Sequence, residues 1–128
     1  MVSISSTETG IDVEQIKKPN LQLAKRYFSE EENQWLFSKT LKEQKNHFYT
    51  LWTLKESYLK LIGKGLTKSL SSFSVIDTSS GFKLKDENIG ISQIFFKQYF
   101  LDIGHKLSVC SFSPVFAEKI NHLSISDL

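Results

Sequence analysis

The sequence predicts an α+β fold: an antiparallel sheet with helices packed on one face. Three observations predict it. A short alternating segment surrounds Gly10–Glu14, residues 21–62 place apolar side chains at helical spacing, and beyond residue 65 the apolar period falls to two. A strand, then helices, then strands joined by short turns is the order of an α+β fold rather than of repeated βαβ units. The 128 residues read as one domain, 1–128, long enough to support one core.

Each element has a local cause. Val2 and Ile4 alternate with serines, and Gly10-Ile11-Asp12-Val13-Glu14 alternates again. The second run reads as a strand with Ile11 and Val13 toward the core and Asp12 and Glu14 on the other face. Pro19 precedes a helix over Leu21–Phe28, and Ser29 with Glu32 makes a capping-box pattern for a second over Glu30–Ser38. The polar stretch Lys39–Asn46 joins or begins a long helix that ends near Ile62. Phe48, Leu51, Trp52, Leu59 and Ile62 form its inward stripe, and Gly63 and Gly65 stop it. Strands follow over Phe73–Asp77, from Phe82, over Ile91–Leu101 and over Lys106–Phe112, as a meander. Ser79-Ser80-Gly81 and Asp102-Ile103-Gly104 are the turns, and Pro114 ends the last strand.

Composition narrows the function. The net charge is only +2 and Arg26 is the sole arginine, which disfavours nucleic acid as the main partner. Cys110 is the single cysteine, so no internal disulfide is possible and a reducing, cytoplasmic location is expected. The N-terminus lacks the charged and apolar regions of a signal peptide, and no apolar run is long enough to cross a bilayer. Ten phenylalanines point to an aromatic-rich core or interface.

Residues 52–66, WTLKESYLKLIGKGL, pose the chemical question. Trp52, Glu56 and Lys60 follow one another at four-residue spacing and share a ridge beside the apolar stripe. Taken alone, Glu56 and Lys60 are an ordinary intrahelical ion pair. Asp12 and Glu14 alone are acids on an exposed strand. Together, three carboxylates from two elements offer hard oxygen ligands suited to Mg2+ against a phosphate. Gly10 beside them would allow close approach of a ligand.

GIDVE followed by WTLKESYLK resembles the paired signature of the 4'-phosphopantetheinyl transferases, and more closely the surfactin-type subgroup. RYFSEEE lies between the two motifs where that family has a similar segment, and KGL and SFSV follow in place. The resemblance covers nearly the whole chain. It implies transfer of the phosphopantetheine arm of coenzyme A to a serine of an acyl or peptidyl carrier protein, releasing 3',5'-ADP. By position it implies that Asp12, Glu14 and Glu56 bind Mg2+. Glu56 would help remove the serine proton, and Lys60 would neutralise the leaving phosphate end. Lys55 and Trp52 would line the coenzyme A side. Glu32 matches a further acidic position of the family, and its capping role with Ser29 is the alternative.

The surfactin-type enzymes resemble two fused halves with coenzyme A between them, and this chain resembles the second, C-terminal half. The first half's basic residues and its His-Ser-type element find no counterpart: His47, His105 and His122 stand in other contexts. The resemblance therefore leaves three arrangements open. The chain could form a homo-oligomer, pair with a separately encoded N-terminal half, or be a truncated remnant that binds carrier proteins with little catalysis.

Overall fold

The computed structural model describes residues 9–63, 68–86, 94–114 and 116. The expected opening strand at Val2 and Ile4, the KGL segment with Gly65, the start of the third strand at Ile91, His122 and the C-terminal tail lie outside them.

Strand β1 (Thr9–Gln15) is followed by helices α1 (Leu21–Tyr27), α2 (Glu30–Phe37) and α3 (Leu41–Ile62). Strands β2 (Ser74–Thr78), β3 (Gly81–Lys85), β4 (Phe95–Tyr99) and β5 (His105–Ser111) complete the described chain. The helix starts follow from side-chain chemistry. Asn20 caps α1, and Ser29–Glu32 and Thr40–Glu43 form reciprocal capping boxes on α2 and α3. Gly63 ends α3 in the left-handed region, at φ 68°, where glycine pays no Cβ penalty.

The expected meander divides into two antiparallel sheets. One has the order β1-β5-β4 and the other is the β2-β3 hairpin. β1 joins the far end of the chain, with Asp12 opposite Ser108 and Val13 opposite Leu107. This places Gly10, Asp12, Ser108 and Cys110 on one face of the sheet and Ile11, Val13, Leu107 and Val109 on the other.

Helix α3 lies on the first of these faces, where the Thr53 hydroxyl is 2.7 Å from the Ser108 hydroxyl. Ile11 and Val13 pack on the opposite face with Tyr99, Leu107 and Val109. The predicted alternation is therefore present, but it is the carboxylate-bearing face that meets the long helix.

On its other side α3 packs against α2 and β2. Phe48, Leu51 and Leu54 join Ala24, Phe28, Leu36 and Val75 in one core cluster. Tyr58, Leu59 and Leu61 join Phe73, Ile94 and Cys110 in another. A helix enclosed on two sides buries polar positions as well as an apolar stripe, and Thr53, Lys55 and Ser57 are all at 0% exposure. Trp52 and Ile62, expected in the stripe, sit half-buried at its edges.

Candidate functional site

The site is built where β1 crosses α3, and Gly10 permits the crossing. A Cβ on Gly10 would fall 1.9 Å from the Ser57 carbonyl oxygen and 2.6 Å from the Leu61 amide nitrogen, both helix backbone. Sequence reasoning expected a ligand to use this close approach; the α3 backbone uses it instead. The contact draws the next inward residue, Asp12, against the following turn of α3, where Lys60 stands.

The Lys60 ammonium donates to Asp12 Oδ1 at 2.7 Å. The two partners differ in environment: Asp12 is 5% exposed and Lys60 53% exposed. The second oxygen, Asp12 Oδ2, is buried and has no hydrogen-bond partner among the described residues. A buried acceptor left unpaired is costly and rare.

Burial drives the Asp12 carboxyl up from 3.8 to about 7; Lys60 opposes this, while Glu14 and Glu56 add to it by repulsion. Burial also raises Glu56, with Lys60 opposing and Glu14 reinforcing. Asp12, Glu14, Glu56 and Lys60 are thus electrostatic neighbours in one place, three acids against one exposed cation.

A divalent cation fits this chemistry. It would satisfy the orphaned Asp12 oxygen and relieve the mutual repulsion that raises Asp12 and Glu56. Among the described residues, no three His, Cys, Asp or Glu side chains converge into a ready-made cage.

Lys55 is a correction. It was expected to line the coenzyme A side, but its side chain is fully buried and its ammonium is engaged inside the protein. It donates to Glu32 Oε1 at 2.6 Å and to the Phe73 carbonyl at 2.7 Å, and sits 4.2 Å from the centre of the Phe73 ring. Burial pulls the ammonium down, with Glu32 opposing. Glu32 is also interior: it accepts from the Ser29 amide at 2.8 Å and the Val75 amide at 2.7 Å. Its carboxylate joins the start of α2, the middle of α3 and the start of β2, so the capping alternative is the one the fold uses.

Trp52 is half-buried in an aromatic group, stacked on Phe48 with an interplanar angle of 13° and meeting Tyr27 edge-on. His105 closes the β4–β5 turn through Asp102 Oδ1 at 2.9 Å.

Sequence reasoning missed the polar floor next to Asp12. Ser108, opposite Asp12 in the sheet, shares a hydrogen bond with the Thr53 hydroxyl of the helix and accepts one at 3.2 Å from the Gln98 amide. It also missed Asp86, buried at 4% exposure, which accepts from the Tyr58 hydroxyl at 3.0 Å and pairs with Lys68 at 2.8 Å. Serine in an apolar strand run was the only signal for the first, and no local signal marked the second.

Comparison with known proteins gives a consistent result. The model of the 4'-phosphopantetheinyl transferase superfamily matches residues 8–110. The chain is 40% identical over 129 aligned residues to 4'-phosphopantetheinyl transferase Sfp of Bacillus subtilis (strain 168), covering 98% of this chain and 56% of that protein. It is 33% identical to 4'-phosphopantetheinyl transferase psf-1 of Bacillus pumilus, covering 98% of this chain and 54% of that one. The chain thus spans about half the length of the curated relatives it matches.

Among solved structures, holo-(acyl-carrier-protein) synthase of Thermotoga maritima superposes with a TM-score of 0.68 at 18% identity, over 81% of this chain and 61% of that one. A Bacillus anthracis holo-(acyl-carrier-protein) synthase in complex with CoA (3',5'-ADP) gives 0.64 at 15% identity, over 81% and 93%. At such identities the likeness establishes the α+β fold. The family match and the curated relatives carry the further conclusion: the chain belongs to the 4'-phosphopantetheinyl transferase superfamily.

Proposed function

We propose that the chain serves Mg2+-dependent transfer of the 4'-phosphopantetheine arm of coenzyme A to a serine of an acyl or peptidyl carrier protein. One observation carries the reading. Asp12 is held buried with one oxygen on Lys60 and the other unpartnered, beside Glu14 and Glu56, at the crossing of the two elements that bear the family motifs.

In this reading Asp12, Glu14 and Glu56 hold the metal. Bound there, Mg2+ supplies polarisation of the attacked phosphoryl group and neutralises the leaving phosphate. The serine oxygen forms a new bond to the phosphorus that carries pantetheine, and the bond from that phosphorus to 3',5'-ADP breaks. Glu56 receives the serine proton, directly or through water. Lys60, half in solvent, keeps a mobile ammonium for the phosphate charge of the departing 3',5'-ADP. Trp52 contributes a partly exposed wall on the coenzyme A side, and Lys55 and Glu32 hold α3 in place beneath it.

The domain, 1–128, corresponds on this reading to the second half of the two-half enzymes. The chain matches its curated relatives over about half their length. The rest of the coenzyme A wall would come from a further segment, a second copy or a separately encoded first half. The alternative reading is a carrier-protein-binding remnant with impaired catalysis.

Intact-mass spectrometry of an apo carrier protein incubated with the chain, coenzyme A and Mg2+ separates the two. A gain of one phosphopantetheine that EDTA abolishes supports the transferase. No gain across several carrier proteins, from folded protein, supports the remnant.

A further inference from the structure

A pocket of about 350 Å³ opens where the end of β1, the β4–β5 turn and the first half of α3 meet. None of Asp12, Glu14, Glu56 and Lys60 lines it. Ile16, Tyr99 and Leu107 give it apolar walls. Phe100 and Ile103 stand at its edge almost fully in solvent, at 82% and 91% exposure. Neither contributes to the core clusters, so folding does not account for them. Large apolar side chains gathered at the mouth of a hollow and bounded by polar ones mark a surface that meets another molecule.

Charge separates the inside of the hollow from its rim. Inside, Lys106 stands opposite Glu14 in the β1–β5 ladder and shares the wall with Asp102, so its charge is offset there. The hollow itself therefore suits an uncharged, apolar group. The rim is different. Lys17 and Lys18 directly follow Ile16, while on α3 Lys42 stands one turn before Asn46 and Lys45 stands beside it. All four are exposed, and none has an ion pair among the described residues. The acid among them, Glu43, accepts from the Thr40 amide in the capping box. Leu41, one turn before Lys45, adds a further exposed apolar side chain. An apolar recess within a basic rim is complementary to an apolar anchor flanked by acids. An amphipathic helix presents that pattern, with anchors three or four residues apart and acids beside them. A lipid surface is the poorer fit, because it offers no side chain to fill a recess.

We infer that this surface docks an acidic amphipathic helix of another protein, its apolar anchor in the pocket against Phe100 and Ile103 and its acids on Lys17, Lys18, Lys42 and Lys45. This lies beyond the proposed transferase reading and does not depend on it.

The test is fluorescence anisotropy of a labelled, helix-forming peptide of Leu-Glu-Glu-Leu-Leu-Glu-Glu repeats, titrated with the full chain. The control peptide carries lysine in place of every glutamate. The acidic peptide should bind saturably, with a Kd on the order of 10 μM, and the basic one at least about tenfold more weakly. Ile103→Asp and Phe100→Asp, at positions too exposed to affect folding, should each weaken the acidic peptide by about tenfold. Lys42→Glu combined with Lys45→Glu should weaken it by about tenfold as well, and should reduce its sensitivity to salt. The inference is overturned if the acidic peptide shows no saturable binding or if the two peptides bind equally. It is also overturned by an Ile103→Asp variant, or a combined Lys42→Glu and Lys45→Glu variant, that binds like the parent. Sedimentation of the chain with phosphatidylglycerol vesicles, without peptide binding, would overturn it in favour of a lipid surface.

Discussion

Lys55 and Lys60 stand five positions apart on one helix, and each pairs with a carboxylate at almost the same distance, 2.6 Å and 2.7 Å. Their surroundings are opposite. The Lys55–Glu32 pair is dry, and both partners make further hydrogen bonds, to the Phe73 carbonyl on one side and to the Ser29 and Val75 amides on the other. The Lys60–Asp12 pair is half in solvent, leaves one buried carboxylate oxygen unsatisfied, and crowds Asp12 with two further acids. A satisfied buried pair organises a fold. A pair that stays strained beside solvent is a place where the molecule keeps charge available for something else. Nothing in their spacing or residue type tells the two apart; the neighbours from α2, β1 and β2 do.

The contrast can be broken at several points. The largest effect should come from the dry pair. Lys55→Ala or Glu32→Ala leaves a buried, uncompensated charge and should cost about 3–5 kcal/mol, enough to unfold a marginal domain. Urea denaturation followed by circular dichroism measures it, and a loss below about 1 kcal/mol would mean that the pair does not organise the fold.

Gly10→Ala should come next. Its Cβ would meet helix backbone at 1.9 Å, which no side-chain rearrangement relieves, so β1 and α3 must separate at a cost of about 3 kcal/mol. A thermal melt near the parent's would show that the crossing is looser than described.

The wild-type chain should then show a pH dependence of definite sign. Asp12 titrates at about 7 when folded against 3.8 as the reference, so the native state holds this proton more tightly. The Asp12 contribution is greatest below pH 4 and is lost as pH rises toward 7, with no further loss above it. Urea midpoints from pH 4 to pH 8, compared with those of Asp12→Asn, isolate this slope; parallel profiles would remove Asp12 as its source.

The smallest effect on stability should be that of Lys60→Ala, within about 1 kcal/mol, because its side chain is half in solvent and the Asp12 carboxyl, already raised to about 7, can take up a proton once the ammonium is gone. On the proposed function the same change should lower carrier-protein turnover by about a hundredfold. Stability and turnover moving together would make Lys60 another structural lysine.

Much of this was legible from local pattern. The alternation around Asp12 and Glu14, the capping box at Ser29–Glu32, the helix carrying Glu56 and Lys60 and its glycine stop are each set by neighbours within a few residues. What escaped is set at long range. Pairing of β1 with β5 splits the expected meander and decides which face of β1 meets α3. Gly10 correctly signalled a close approach, but only the fold shows that a helix makes it. Lys55 looked like a surface residue because helical spacing places one stripe inward, and α3 is enclosed on two sides.

The central claim is that Asp12 is held in place at the expense of stability. The most direct test is urea denaturation of wild type and Asp12→Asn side by side at pH 8 without added metal. Asparagine keeps the shape and removes the buried charge, so the variant should be more stable by about 1–2 kcal/mol. A variant less stable than wild type by more than about 1 kcal/mol would contradict the account, and would place the Asp12–Lys60 pair alongside Lys55–Glu32 as part of the scaffold.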